Sequence, residues 1–146
     1  MSEPCPALPR GNFQLLDFQG LCLTALTSSG PVIAEDCIST FPADQTWSLV
    51  PVNRGFILFS GLSQGPELPV FLNLGNSNGA VTSEGTTGFG FNISCFPFDF
   101  NAVTLVDNLV VNGTLTSSET DGETAQVLFE PLANSFNQIW SIEVLD

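Results

Sequence analysis

Apolar residues along the chain come in short bursts: Phe13–Leu15, Leu21–Leu23, Val32–Ile33, Trp47–Leu49, Phe56–Leu58, Val70–Leu72, Phe89–Ile93, Val103–Leu105, Leu109–Val111, Val127–Phe129 and Trp140–Ile142. Clusters of Gly, Pro, Asn and Ser separate them, such as Ser28-Ser29-Gly30-Pro31 and Gly75-Asn76-Ser77-Asn78-Gly79. Short apolar runs bounded by turn-forming residues are the signature of β-strands. No stretch of ten residues keeps a 3.6-residue period with caps at its ends, so no helix is expected. The pattern predicts an all-β chain of about twelve strands, arranged as a sandwich or a barrel.

Self-similarity decides between those two. Gln45-Thr46-Trp47-Ser48-Leu49 and Gln138-Ile139-Trp140-Ser141-Ile142 share Gln-x-Trp-Ser-aliphatic, and about halfway between them Phe89-Gly90-Phe91-Asn92-Ile93 repeats the element with an aromatic in place of Trp. Each copy opens on an apolar strand, at Asn12–Leu16, Gly55–Phe59 and Ala102–Val106. Ala25-Leu26-Thr27-Ser28-Ser29 also parallels Thr114-Leu115-Thr116-Ser117-Ser118. The chain therefore reads as one domain, residues 1–146, of three copies at about 10–52, 53–98 and 99–146. Three copies of four strands make a β-trefoil, a six-stranded barrel closed by three hairpins with threefold pseudo-symmetry, in which closure removes the exposed sheet edges. Trp47, Phe91 and Trp140 are expected under the barrel, with Gln45 and Gln138 bonded to backbone.

Composition then narrows the function. Arg10 and Arg54 stand against 15 acidic residues for a net charge of −13, a field that repels phosphate backbones and anionic lipid. Nucleic acid and membrane surfaces are thereby excluded as partners. His, Lys and Tyr are absent, which removes the commonest general base, the Schiff-base amine and every imidazole metal ligand. The sequence singles out no carboxylate pair of the glycosidase kind, so a binding protein is expected rather than an enzyme. Only 12% of residues are charged, about half the usual share, and the surface must be built from neutral hydrogen-bonding groups.

No apolar run reaches membrane-spanning length despite a mean hydropathy of +0.28, and Met1–Pro6 has no secretory pattern, which implies a cytoplasmic protein. Cys5, Cys22, Cys37 and Cys95 form no C-x-x-C pair. No metal and no cofactor are expected, and a reducing compartment would keep the cysteines as buried thiols. Asn92-Ile93-Ser94 and Asn112-Gly113-Thr114 fit the N-glycosylation pattern, which matters only for a secreted chain. Glu119–Glu123 lacks the ligand ladder of a calcium loop and reads as a solvated turn.

The repeats resemble the ricin B-type (R-type) carbohydrate-binding trefoils, particularly the small lectins of mushroom fruiting bodies. Copy one carries Gly20-Leu21-Cys22-Leu23, then Cys37, then Gln45-x-Trp47; copy three carries Gln126-Val127-Leu128-Phe129, then Asn137-Gln138-Ile139-Trp140. The resemblance implies one shallow sugar site per copy. Each would use a polar residue after the second strand, a ring at the end of the third, and an Asn before Gln-x-Trp. Galactose or N-acetylgalactosamine would stack its C–H face on the ring while its hydroxyls pair with the polar groups.

In copy three these positions fall on Asn112 or Gly113, on Phe129 and on Asn137, although strand alternation would equally turn Phe129 inward. In copy one they fall on Thr24 and Asp44, with Glu35 and Asp36 where the ring should be. In copy two Asn73 and the turn residues Asn76 and Asn78 remain, while Ser83 or Glu84 replaces the ring. The implied partners are glycans of glycoproteins or glycolipids, bound multivalently and aided by a homodimer, in a defensive role. Some relatives carry a disulfide at the Cys22–Cys37 positions, so the resemblance implies that pairing in an oxidising environment. The competing reading is a β-trefoil protease inhibitor acting through the loop Ser60–Pro69, which lacks a basic residue.

Overall fold

The computed structural model describes residues 3–4, 11–52, 55–63, 69–75, 79–84, 91–96, 99–107, 113–120, 122, 124–131, 133 and 135–144. The strands are β1 (Glu3–Pro4), β2 (Phe13–Leu16), β3 (Leu21–Ala25), β4 (Val32–Asp36), β5 (Trp47–Val52), β6 (Gly55–Ser60), β7 (Val70–Leu74), β8 (Ala80–Glu84), β9 (Phe91–Phe96), β10 (Asp99–Asp107), β11 (Gly113–Ser117), β12 (Thr124–Pro131) and β13 (Trp140–Val144). Single 3-10 turns at Ala43–Gln45 and Phe136–Gln138 precede β5 and β13.

Six strands close on themselves. β2 pairs β5, β5 pairs β6, β6 pairs β9, β9 pairs β10, β10 pairs β13, and β13 returns to β2, every pair antiparallel. The repeat is visible in the register, since Phe13 faces Trp47, Phe56 faces Phe91 and Val103 faces Trp140. The remaining strands form three hairpins, β3–β4, β7–β8 and β11–β12. These hairpins touch one another in a ring through β4–β12 pairing and through the bridges Pro31↔Val81 and Gly79↔Leu128. The architecture is a β-trefoil.

Alternation along the hairpin strands sends one face inward. Val32 and Ala34, Ala80 and Thr82, and Ala125, Val127 and Phe129 are buried while their neighbours are partly exposed, as a pleated strand requires. Trp47, Phe91 and Trp140 are wholly buried in this core. Each indole donates to a hairpin carbonyl, Trp47 Nε1 to Leu23 O and Trp140 Nε1 to Leu115 O, both at 2.9 Å. Phe91 has no N–H to place, and its ring stacks instead on Phe129 with centroids 5.7 Å apart.

The two buried glutamines act as cross-ties. Gln45 donates to Asp36 O (2.8 Å) and Thr24 Oγ1 (3.3 Å) and accepts from Ile38 N (2.8 Å). Gln138 donates to Pro131 O (2.9 Å) and Thr116 Oγ1 (3.3 Å) and accepts from Ala133 N (2.8 Å). A buried amide satisfied at both ends costs little and fixes the loop it crosses.

These bonds also correct two sequence expectations. The second strand of copy three is β11, Gly113–Ser117; the apolar run Leu109–Val111 falls outside the described residues. Leu23-Thr24 corresponds to Leu115-Thr116, so the parallel between residues 25–29 and 114–118 is out of step. The cysteine reading changes as well: Cys22 and Cys37 form a disulfide rather than two thiols, with Cα atoms 5.1 Å apart.

Candidate functional site

The glutamine cross-ties give the register in which the repeat positions must be compared. The residue after the second strand's buried leucine is Thr24 in copy one, Asn73 in copy two and Thr116 in copy three. Thr24 and Thr116 are fully or almost fully buried. Their hydroxyls accept from the glutamines and donate to Cys22 O and Thr114 O, leaving no hydrogen-bonding capacity aimed at solvent. Asn73 is half-buried and donates to Ser83 Oγ at 3.1 Å.

Cross-strand pairing makes Ala34, Thr82 and Phe129 equivalent, since these three face Leu23, Leu72 and Leu115. The ring position expected at Glu35 or Asp36 and at Ser83 or Glu84 therefore falls on Glu130 or Pro131 in copy three, and no copy has a ring there. Phe129 is the correction this forces: it is 2% exposed and packed on Phe91, a core residue with no face for a ligand. A one-residue slip moves a side chain to the other side of a strand.

The other expected residues are scattered. Gly113 is buried at the start of β11 opposite Pro131 and has no side chain to present to a ligand. Asp36 is exposed at the end of β4, beside Glu35, Ile38 and Thr124 in a shallow depression of about 210 Å³. Asp44 lies in the first 3-10 turn, with its Oδ1 buried and unpartnered among the described residues. Asn112, Asn76 and Asn78 fall outside the described residues. So do residues 64–68 of the Ser60–Pro69 loop, whose stem is tied by the Ser63 hydroxyl to Ser60 O and Val70 N, both at 2.8 Å.

Asn137 has a different setting. It lines a depression of about 310 Å³ where copies three and one meet, together with Phe18, Glu119, Ser135 and Phe136. Phe136 is 79% exposed and Phe18 40%. The Ser135 hydroxyl donates to Asn137 Oδ1, leaving the Asn137 Nδ2 donors without a protein partner among the described residues.

The turn bearing Phe18 is tightly held. The Asp17 carboxylate, 6% exposed, accepts from Gln19 N (2.8 Å), Leu21 N (2.9 Å), Gln19 Nε2 (3.1 Å) and the Ser117 hydroxyl. Gln19 extends the tie across the copy boundary, donating to Ser118 O (3.0 Å) and accepting from Thr120 N (2.8 Å). Gly20 completes the turn at φ +85°, a conformation that favours glycine. Sequence reading sought an aromatic at a strand end and passed over Phe18 and Phe136. Their signal was a single ring set among polar residues, in Asp17-Phe18-Gln19-Gly20 and Ser135-Phe136-Asn137.

No protein-family model and no curated protein matches the chain by sequence. Solved structures do match it. A ricin B-like lectin of Macrolepiota procera, in complex with lactose, aligns with a TM-score of 0.71 at 13% identity over 95% of this chain and 99% of its own. The Rhizoctonia solani agglutinin aligns with a TM-score of 0.71 at 15% identity over 95% and 98%. A designed threefold-symmetric protein, ThreeFoil, aligns with a TM-score of 0.71 at 20% identity over 92% and 99%. At such identities the likeness is one of fold: the chain has the β-trefoil architecture found in ricin B-like lectins.

Proposed function

We propose that this protein is a carbohydrate-binding trefoil that acts by binding rather than by catalysis, and that its ligands are neutral glycans ending in galactose or N-acetylgalactosamine. The observation that carries the reading is Asn137. It keeps the place before Gln-x-Trp, it lies half-exposed in a depression, and its amide donors have no partner among the described residues. A sugar hydroxyl both donates and accepts, and it can be met there by the amide N–H of Asn137, the Ser135 oxygen and the Glu119 carboxylate without any cation. The trefoil's likeness to a lectin solved with lactose supports the same ligand class. The disulfide fits an oxidising compartment better than the cytoplasm.

The test is a glycan array probed with the fluorescently labelled chain, run beside inhibition assays on serine and cysteine proteases. Binding restricted to galactose- or N-acetylgalactosamine-terminated glycans is expected, with no protease inhibition. Tight inhibition of a protease with an empty array would refute the reading.

A further inference from the structure

The threefold frame gives each copy boundary an equivalent place, and the described places differ sharply. In the β5–β6 pair Ser60 lies opposite Trp47 and Gly61 N donates to Thr46 O. The β13–β2 register, with Ser141 opposite Leu16, runs on to bring Asp17 to the level of Trp140. Gly61 therefore corresponds to Phe18, and Ala43 and Asp44, which precede Gln45, correspond to Phe136 and Asn137. Ser60 repeats the local role of Asp17, since its Oγ accepts from the N–H two residues on.

Between copies one and two the place is shut: a Cβ built on Gly61 would lie 2.6 Å from Ala43 O. Between copies three and one it is open and carries two rings. At the third boundary the sequence has Thr87 four positions before Phe91, where copy three has Phe136 four positions before Trp140.

We infer that the depression formed by Phe18, Phe136, Asn137, Ser135 and Glu119 is a saccharide site of this chain. It takes a single neutral pyranose stacked on the exposed Phe136 ring. This rests on the carbohydrate-binding reading and moves its stacking surface from a strand end to the copy boundary. A volume of about 310 Å³ lies at the small end of ligand pockets, roughly 300 to 1,000 Å³. A pyranose has an apolar C–H face for a ring and hydroxyls on its rim. Phe136 supplies the ring, Asn137 Nδ2 two donors, and Glu119 and Ser135 acceptors. Glu119 repels an anionic ligand. The Asp17–Gln19 ties hold Phe18 and the Glu119 segment together without any ligand, so the site is formed in advance.

The experiment is a titration of the isotopically labelled full-length chain with methyl β-galactoside, N-acetylgalactosamine and, as a competitor of other chemistry, tetramethylammonium, followed by amide NMR. Saturable shifts at residues 18–19, 119 and 135–137 that fit a single binding event there are expected. Phe136→Ala and Asn137→Ala should each weaken binding roughly five- to tenfold with the melting temperature unchanged, because neither side chain is in the core.

Saturable shifts at the hairpin positions around Glu35, Asn73 or Glu130 would overturn the inference and leave carbohydrate binding standing. Saturable ammonium binding at Phe136 with no response to either sugar would overturn it in favour of a cation site. Silence toward both sugars, matched by an empty glycan array, would overturn the inference and the functional reading together.

Discussion

Asp17→Ala has a sharp structural consequence outside the hydrophobic core. The carboxylate takes four hydrogen bonds at 6% exposure, and its removal strands two buried donors, the Leu21 N–H and the Ser117 O–H. An unsatisfied buried donor costs about 1 to 3 kcal/mol. Gln19 keeps its bonds to Ser118 O and Thr120 N and recovers part of the loss, so about 3 kcal/mol is expected for the whole.

For a chain of this size that loss lowers the melting temperature by roughly 6 to 12 °C. Asp17→Asn keeps one acceptor oxygen for the two backbone N–H groups and sets its amide against Gln19 Nε2, so it should lose about half as much. The assay is urea denaturation of the oxidised protein, comparing midpoints at constant m. An Ala variant within 1 kcal/mol of the parent would refute the network as a stabilising tie. An Asn variant as unstable as the Ala variant would show that charge, not acceptor count, carries the effect.

Trp140→Ala should cost about 3 to 5 kcal/mol, read by the same denaturation, because it opens a cavity at the barrel centre and orphans Leu115 O. Replacing Cys22 and Cys37 together by Ser should cost about 3 kcal/mol for the 15-residue separation they close, and dithiothreitol treatment of the parent should reproduce the loss of melting temperature. A single shallow site should bind monosaccharide with a dissociation constant on the order of 0.1 to 1 mM by calorimetry. The monomer should then fail to agglutinate cells, and a cross-linked dimer should succeed.

The barrel was legible because its information is periodic. Alternating bursts fix strands, and the recurrence of Gln-x-Trp at Trp47 and Trp140, with Phe91 standing in between, fixes the threefold frame. The site was not, for two physical reasons. Register within a strand depends on partners that sequence does not list: the Gln45 and Gln138 cross-ties set Leu115, not Val111, as the counterpart of Leu23. Phe129 thereby leaves the surface and joins the core. The resemblance pointed to the Cys22–Cys37 pairing for an oxidising environment, whereas spacing alone did not, since four cysteines allow three pairings; what the expectation of a reducing compartment got wrong was the oxidation state.

The copies diverge in the loops, and the divergence has a direction. Thirteen positions separate Leu23 from Asp36, whereas sixteen separate the equivalent Leu115 from Pro131. The extra chain lies in the hairpin turn of copy three, the segment from which Ser118 and Thr120 reach across to Gln19. The insertion thus ties copy three to copy one and brings Glu119 beside Phe18. The core does not feel it, because Gln138 spans its own hairpin as Gln45 does. A trefoil built this way keeps its stability in the repeated interior and changes its recognition surface at one boundary at a time. Sites are then to be sought where loop lengths break the repeat rather than where the repeat is most regular.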